Sequence, residues 1–262
     1  MPKIDLHKKP FTEETITKLE IFEKYLEAWL PVFIHHPRFN NVFVCDFFAG
    51  EGEDKNGIPG SPLRILKILK EYQYSIIKHN LKVRLILNEY IKGKFNNLSK
   101  LVEEKRNELT ALKNHLLIEY HNLDFKELFD KRKNELKDTA NLLFLDQNGI
   151  KQVSEEVFLE LETFSTTDFI FFISSSYFKR FGRDFKKLFP NLDFKKIKNS
   201  NYSEIHRVIL DEYKKMLPNN SKTKLYPFSI KKGANIYGLI FGSKHPLAAD
   251  KFLHIVWDKN QI

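Results

Sequence analysis

One cysteine, Cys45, is all that 262 residues contain. A single thiol excludes an internal disulfide and any cysteine-cluster metal site. Its position inside an apolar run makes it a small core residue rather than a nucleophile. Met and Trp are also sparse, with 2 of each against 24 Phe, so aromatic rings must fill much of the core. No stretch reaches the roughly 18 apolar residues of a membrane span. The opening residues, Met1 to Pro10, lack the apolar core of a secretion signal, so the expectation is a soluble, cytoplasmic protein with no membrane association. No Gly-Lys-Ser/Thr sequence closes a glycine-rich loop, which excludes a nucleoside-triphosphate loop. His206, His245 and His254 stand apart without metal-ligand spacing. Acids are fewer than bases, 34 against 43, and the net charge of +9 favours phosphate-rich partners. Lysine-heavy usage in an AT-rich genome gives the same excess.

What is present is an alternation of apolar runs and amphipathic stretches. Ile16, Leu19, Phe22, Tyr25, Leu26 and Trp29 recur at helical spacing, with Thr12 placed to cap and Pro31 and Pro37 closing the segment. Asn41–Phe48 then reads as a first strand. Ser61 reads as the N-cap of a helix with Pro62 at its first position. Further strands are expected at 83–89, 116–120, 141–146 and 168–173, separated by helices, and Asp124 and Ser154 are placed to open two of these. Such an order argues for a parallel sheet covered on both faces. Residues 177–222 read as a helical insertion in which aromatic and basic residues interleave, as at Phe178-Lys179-Arg180-Phe181. The same pattern fits a helix with Phe inward and Lys/Arg outward, a packed cap over the sheet edge. Lys224–Ile230 and Ile236–Phe241 read as a hairpin, followed by a helix from Pro246 to Trp257.

Five βα units closed by an antiparallel hairpin predict an α/β, Rossmann-like class I methyltransferase fold with a mostly parallel seven-stranded sheet. The expected boundaries are 1–40 for an N-terminal helical extension, 41–176 for the core, 177–222 for the insertion and 223–262 for the completing hairpin and helix.

The strand ends carry the chemistry. Asp46, Glu89, Asp124 and Asp146 each follow an apolar run, and in this architecture such residues converge on one crevice. The loop after the first strand contains Glu51, Glu53 and Asp54, which would repel a pyrophosphate. S-adenosylmethionine carries no phosphate, and its ammonium and sulfonium groups tolerate carboxylates. The candidate cofactor contacts are therefore Asp46, Phe48, Gly50, Gly52, Glu89 and Asp124. Glu89 would accept from a ribose, and Asn122 to Phe125 would lie along an adenine edge. Asp46 also fits a turn cap, and Glu89 the start of a solvated helix face. Asp146 and Asn148 are the candidate catalytic residues facing a methyl acceptor. No metal site is expected.

Several segments together resemble the three-Cys-motif partner proteins of bacteria and archaea. These are the opening helix from Thr17 to Trp29, Asp46-Phe47-Phe48-Ala49-Gly50 with Gly60-Ser61-Pro62, Leu143-Phe144-Leu145-Asp146, and Ile240 to Pro246. The resemblance implies a methyltransferase-like fold and a partner bearing a three-cysteine motif of the kind that holds an iron–sulfur cluster in radical S-adenosylmethionine proteins. Gln147-Asn148 stands where the family has Pro-Phe. Two functions follow. One is an S-adenosylmethionine-dependent methyltransferase acting on or near nucleic acid with a partner protein. The other is an inactive module of the same fold in a nucleic-acid-processing or mobile-element defence complex.

Overall fold

The computed structural model describes residues 10–147, 149–174, 185–201, 204–232 and 235–260. The Phe178–Phe181 motif lies outside the described residues. By its internal contacts the chain divides into two compact units, 1–144 and 145–262, with the division near the end of the fourth strand.

In the first unit, α1 (Glu13–Ile34) precedes β1 (Asn41–Asp46), α2 (Ser61–Glu71), α3 (Gln73–Lys78) and β2 (Lys82–Asn88). Then come α4 (Lys92–Arg106), a 3-10 turn (Asn107–Leu112), β3 (Leu116–His121), α5 (Phe125–Leu136) and β4 (Ala140–Leu145). β1 pairs in parallel with β2 on one side and β4 on the other, and β2 pairs in parallel with β3. Val42, Phe43, Val44 and Cys45 are fully buried, as the uninterrupted apolar composition of a central parallel strand requires. α1 buries Leu19, Phe22, Tyr25, Leu26 and Leu30, and the Phe22 ring stacks on Phe144 of β4 at 4.2 Å. Its expected cap differs in detail: Thr12 occupies the N-cap position but its side chain accepts no backbone N–H of the helix, and its hydroxyl pairs with that of Thr15 at 3.2 Å. At α2 the N-cap is Gly60, and Ser61 is already helical, so the helix starts one residue earlier than the sequence indicates.

In the second unit, α6 (Glu155–Thr163) is capped by the Ser154 hydroxyl and is followed by β5 (Thr166–Ser174). The described part of the expected insertion holds two helices, α7 (Phe194–Asn199) and α8 (Ile205–Met216). β6 (Lys224–Lys232), β7 (Asn235–Ser243) and α9 (Pro246–Asn260) complete the chain. β7 is antiparallel to both β5 and β6, so the expected hairpin is present. Tyr213 of α8 is buried among Phe158, Phe171 and Phe189, which gives this unit an aromatic core.

Along the sheet the strands run β3-β2-β1-β4-β5-β7-β6. β2 and β4 flank β1 on opposite sides, so the order reverses there and a crevice opens beyond the carboxyl ends of these strands.

Candidate functional site

The crevice begins where β1 stops. Asp46 is fully buried at its last position, and one carboxylate oxygen accepts the Phe48 N–H at 3.1 Å, closing a tight turn. Phe47 turns inward against Phe125, and Phe48 stacks on the same ring at 5.2 Å. Two glycines follow in the left-handed region, Gly50 at φ 67° and Gly52 at φ 93°, where other residues are strained. At Gly52 a Cβ would meet Leu101 at 2.9 Å, so this glycine also admits α4 against the loop. Beyond it, buried Asp54 accepts the N–H groups of Asn56 and Ile58 at 2.8 and 2.9 Å and that of Phe11 at 2.7 Å. Asp54 thus shapes the loop from within, and only Glu51 and Glu53 of its acids are left to shape the field outside.

Glu89, the residue after β2, is the hinge of the site. One carboxylate oxygen accepts the Gly50 N–H at 3.1 Å and the other the Ile91 N–H at 2.7 Å. The side chain is half-buried, so it links two loops while keeping an open side. A carboxylate has about four acceptor positions, and these two bonds use half of them. Next to it Tyr90 and Ile91 stand out at 64% and 42% exposure.

Asn88 has no place in the sequence reading, yet it ties three loops together. Its amide nitrogen donates to the Phe47 and Leu123 carbonyls at 3.1 Å each, and its amide oxygen accepts the Leu123 N–H at 3.2 Å. A polar residue in the last position of a buried strand was the available signal. Asn122 donates to the carbonyls of Glu89 and Tyr90 at 2.7 and 2.9 Å, fixing the backbone that presents them. Asp124 is exposed and caps α5, accepting the Lys126 N–H at 2.9 Å. Asp46, Phe48, Gly50, Glu89 and Asn122 therefore belong to one bonded set of loops, whereas Asp124 faces solvent as a cap.

In the second unit Asp146 is half-buried just past β4, and Asn148 lies outside the described residues. Gln147 between them is 1% exposed. Its amide oxygen accepts from Gln152 and Val153 N–H at 2.9 and 3.2 Å, and its nitrogen donates to the Phe172 carbonyl at 3.2 Å. The residue that departs from the Pro-Phe pattern is thus the one that builds its loop. Among the described residues no group of three or more His, Cys, Asp or Glu is placed to hold a metal ion.

Strand order, reversed terminal hairpin and a carboxylate-lined crevice after β1 and β2 define a Rossmann-like class I methyltransferase fold. The chain matches no family model and no curated protein. Its likeness is to solved structures. Trm1 from Pyrococcus horikoshii, in complex with S-adenosyl-L-methionine, superposes with a TM-score of 0.55 at 10% identity, over 97% of this chain and 61% of that one. DszA carbon methyltransferase gives 0.49 at 10% identity, over 91% and 56%. The O-methyltransferase TomG from Streptomyces achromogenes gives 0.44 at 10% identity, over 91% of each. The chain spans about three-fifths of the length of the first two. At such identities the likeness is one of fold.

Proposed function

We propose that the chain binds S-adenosylmethionine in the β1–β2 crevice and is a methyltransferase acting on or near nucleic acid together with a partner protein. The observation that carries this reading is Glu89. Its carboxylate is oriented by two backbone N–H groups and keeps acceptor positions open, which suits the paired hydroxyls of a ribose. The exposed ring of Tyr90 beside it suits the face of an adenine. Gly50 and Gly52 let the loop backbone approach a ligand, and the carboxylates of Asp46, Glu51 and Glu53 favour a cationic ligand over a phosphate. The residues present therefore fit the cofactor. When bound, it supplies a methyl group activated on a sulfonium. The chain's own part is to hold the ribose at Glu89 and to fix that carboxylate through Gly50 and Ile91. Asp146 and Asn148 remain the residues assigned to the acceptor side.

Calorimetry with S-adenosylmethionine and S-adenosylhomocysteine tests this. Wild type is expected to bind both. Glu89→Gln is expected to weaken binding by about tenfold or more, the worth of hydrogen bonds to a charged group. Tyr90→Ala, at an exposed position that folding does not need, is expected to weaken it as well. Absence of binding to the wild type, or undiminished binding in both variants, overturns the assignment.

Gln147 favours a second reading, an inactive module of the same fold that works by assembly in nucleic-acid processing or mobile-element defence. Its amide is committed to its own loop at the position where the family it resembles has Pro-Phe. The partner in either reading is a three-cysteine protein of the radical S-adenosylmethionine type, as the family resemblance implies. Co-purification with such a protein supports assembly; a chain that binds the cofactor but stays alone with every candidate counts against it.

A further inference from the structure

The cofactor crevice is walled on one side by the least supported strand of the sheet. β3 stands at the edge and, among the described residues, pairs with β2 alone. An edge strand has no second ladder to hold its end. Yet that end carries the rim of the crevice. The His121 carbonyl accepts the Glu89 N–H at 3.1 Å, and Asn122 holds the carbonyls of Glu89 and Tyr90. Leu123 is bonded through both its N–H and its carbonyl to Asn88. A shift of residues 121–123 therefore moves Glu89, whose carboxylate is oriented by Gly50 and Ile91.

Arg132 of α5 reaches across to that end. One guanidinium nitrogen donates to Glu135 at 2.7 Å; another bonds Glu119 of β3 and lies 3.4 Å from His121 Nε2. A guanidinium has only donors, so His121 Nε2 accepts in this contact and carries no proton. The Glu119 carboxylate, 3.9 Å from the same nitrogen, cannot supply the tie, because neither partner then has a hydrogen to give. Arg84 shares both acids with Arg132, so the guanidinium is itself anchored. The side chains of Arg132 and His121 are 18% and 22% exposed, which leaves water little room to compete. Glu119 lies two residues short of the strand end, so it is the contact with His121 that ties α5 to the residue holding Glu89.

We propose that His121 is a positioning residue of the cofactor crevice: by accepting from Arg132 it ties the free end of β3 to α5 and so sets where Asn122 and Glu89 stand. The inference rests on the cofactor half of the proposed function and adds a residue that does not itself touch the ligand. If the imidazole only filled space, its shape would matter and its nitrogen would not. Substitution separates the two accounts. Phenylalanine keeps a ring and has no acceptor, whereas glutamine gives up the ring and keeps an amide oxygen that can accept from Arg132.

Calorimetry with S-adenosylhomocysteine and amide hydrogen exchange of the ligand-free protein together form the test. His121→Phe is expected to weaken S-adenosylhomocysteine binding by about fivefold, the worth of one hydrogen bond. It is expected to lower the exchange protection of the Glu89 amide by a similar factor. His121→Gln is expected to bring both back to within about twofold of wild type, because the Arg132 bond is remade. Val83 is the internal reference: its N–H bonds the His115 carbonyl at 2.7 Å at the other end of the same strand pair, and its protection is expected to stay unchanged. Wild-type behaviour in His121→Phe, an equal loss in His121→Gln, or an equal fall in protection at Val83 overturns the inference. A wild type that binds as tightly as His121→Phe removes this inference and leaves the proposed function standing. A wild type that does not bind at all removes both.

Discussion

Single residues in this chain do work that their type alone does not announce. Cys45 is one whose reading held: it is fully buried, and burial pushes its thiol far above the ordinary range, so no thiolate forms near neutral pH. Iodoacetamide at neutral pH is expected to leave Cys45 unmodified in the native protein and to label it fully in denaturant, with intact-mass measurement as the readout. Rapid native labelling would show that the core of β1 opens. Glu89 was legible as a candidate because an acid directly after an apolar run is a recognisable signal. Its bond to Gly50, 39 residues away, was not. Asn88 and Gln147 gave still less away, because an amide becomes a structural tie only when carbonyls from distant loops arrive beside it.

At the scale of elements, helices, strands and the terminal hairpin follow the periodicity of apolar residues, and differences are confined to ends. The shift from Ser61 to Gly60 at the start of α2 is an example: Gly60 sits so close to the Gly52 carbonyl that a Cβ would meet its oxygen at 2.9 Å. Packing between strands sets harsher limits. In β7, Gly242 faces Phe169 of β5, and a Cβ there would come within 2.1 Å of the ring. Gly242→Ala is expected to cost about 1–3 kcal/mol through overpacking. Gly93 is an exposed helical glycine in α4 with open space around it. Gly93→Ala is expected to stabilise by about 0.5 kcal/mol through lower backbone entropy in the unfolded chain. Urea midpoints of the two variants should move in opposite directions; a raised or unchanged midpoint in Gly242→Ala would contradict the packing there, and a lowered one in Gly93→Ala would contradict the gain expected at that site.

Over the whole molecule, charge sets the response to acid. Arg84 of β2 donates to Glu119 of β3 at 2.7 Å and also pairs with Glu135 of α5, while Arg132 bonds both acids. The Arg84 guanidinium lies over the Phe43 ring at 4.6 Å. Burial opposes ionisation of Glu119, but hydrogen bonding to Arg84 and the charges of Arg132 and Arg84 outweigh it and hold the carboxyl below its ordinary 4.5. Glu23 is held low in the same way by Lys67 and Arg64 against the opposing effect of its burial. A carboxyl lowered in the folded state binds its proton more readily when unfolded. The stability it contributes is complete above about 4.5 and is lost as pH falls through the lower folded value. The melting temperature is therefore expected to be flat from pH 7 to about 5 and to fall below that. Glu119→Gln should show a lower plateau and a shallower fall. A wild-type profile that does not drop in acid would contradict this account.

The sequence by itself determined the order and type of the elements, the reversed hairpin that marks the fold, and the acids at the strand ends. Each is carried by residues within one turn, one strand or one cap, where apolar spacing and local hydrogen bonding decide. Only the tertiary structure decided that Glu89 holds Gly50 and Ile91 and that Asn88 and Gln147 bind loops together. Those outcomes depend on which distant segments meet when buried surface is minimised. No period in the chain encodes such a meeting.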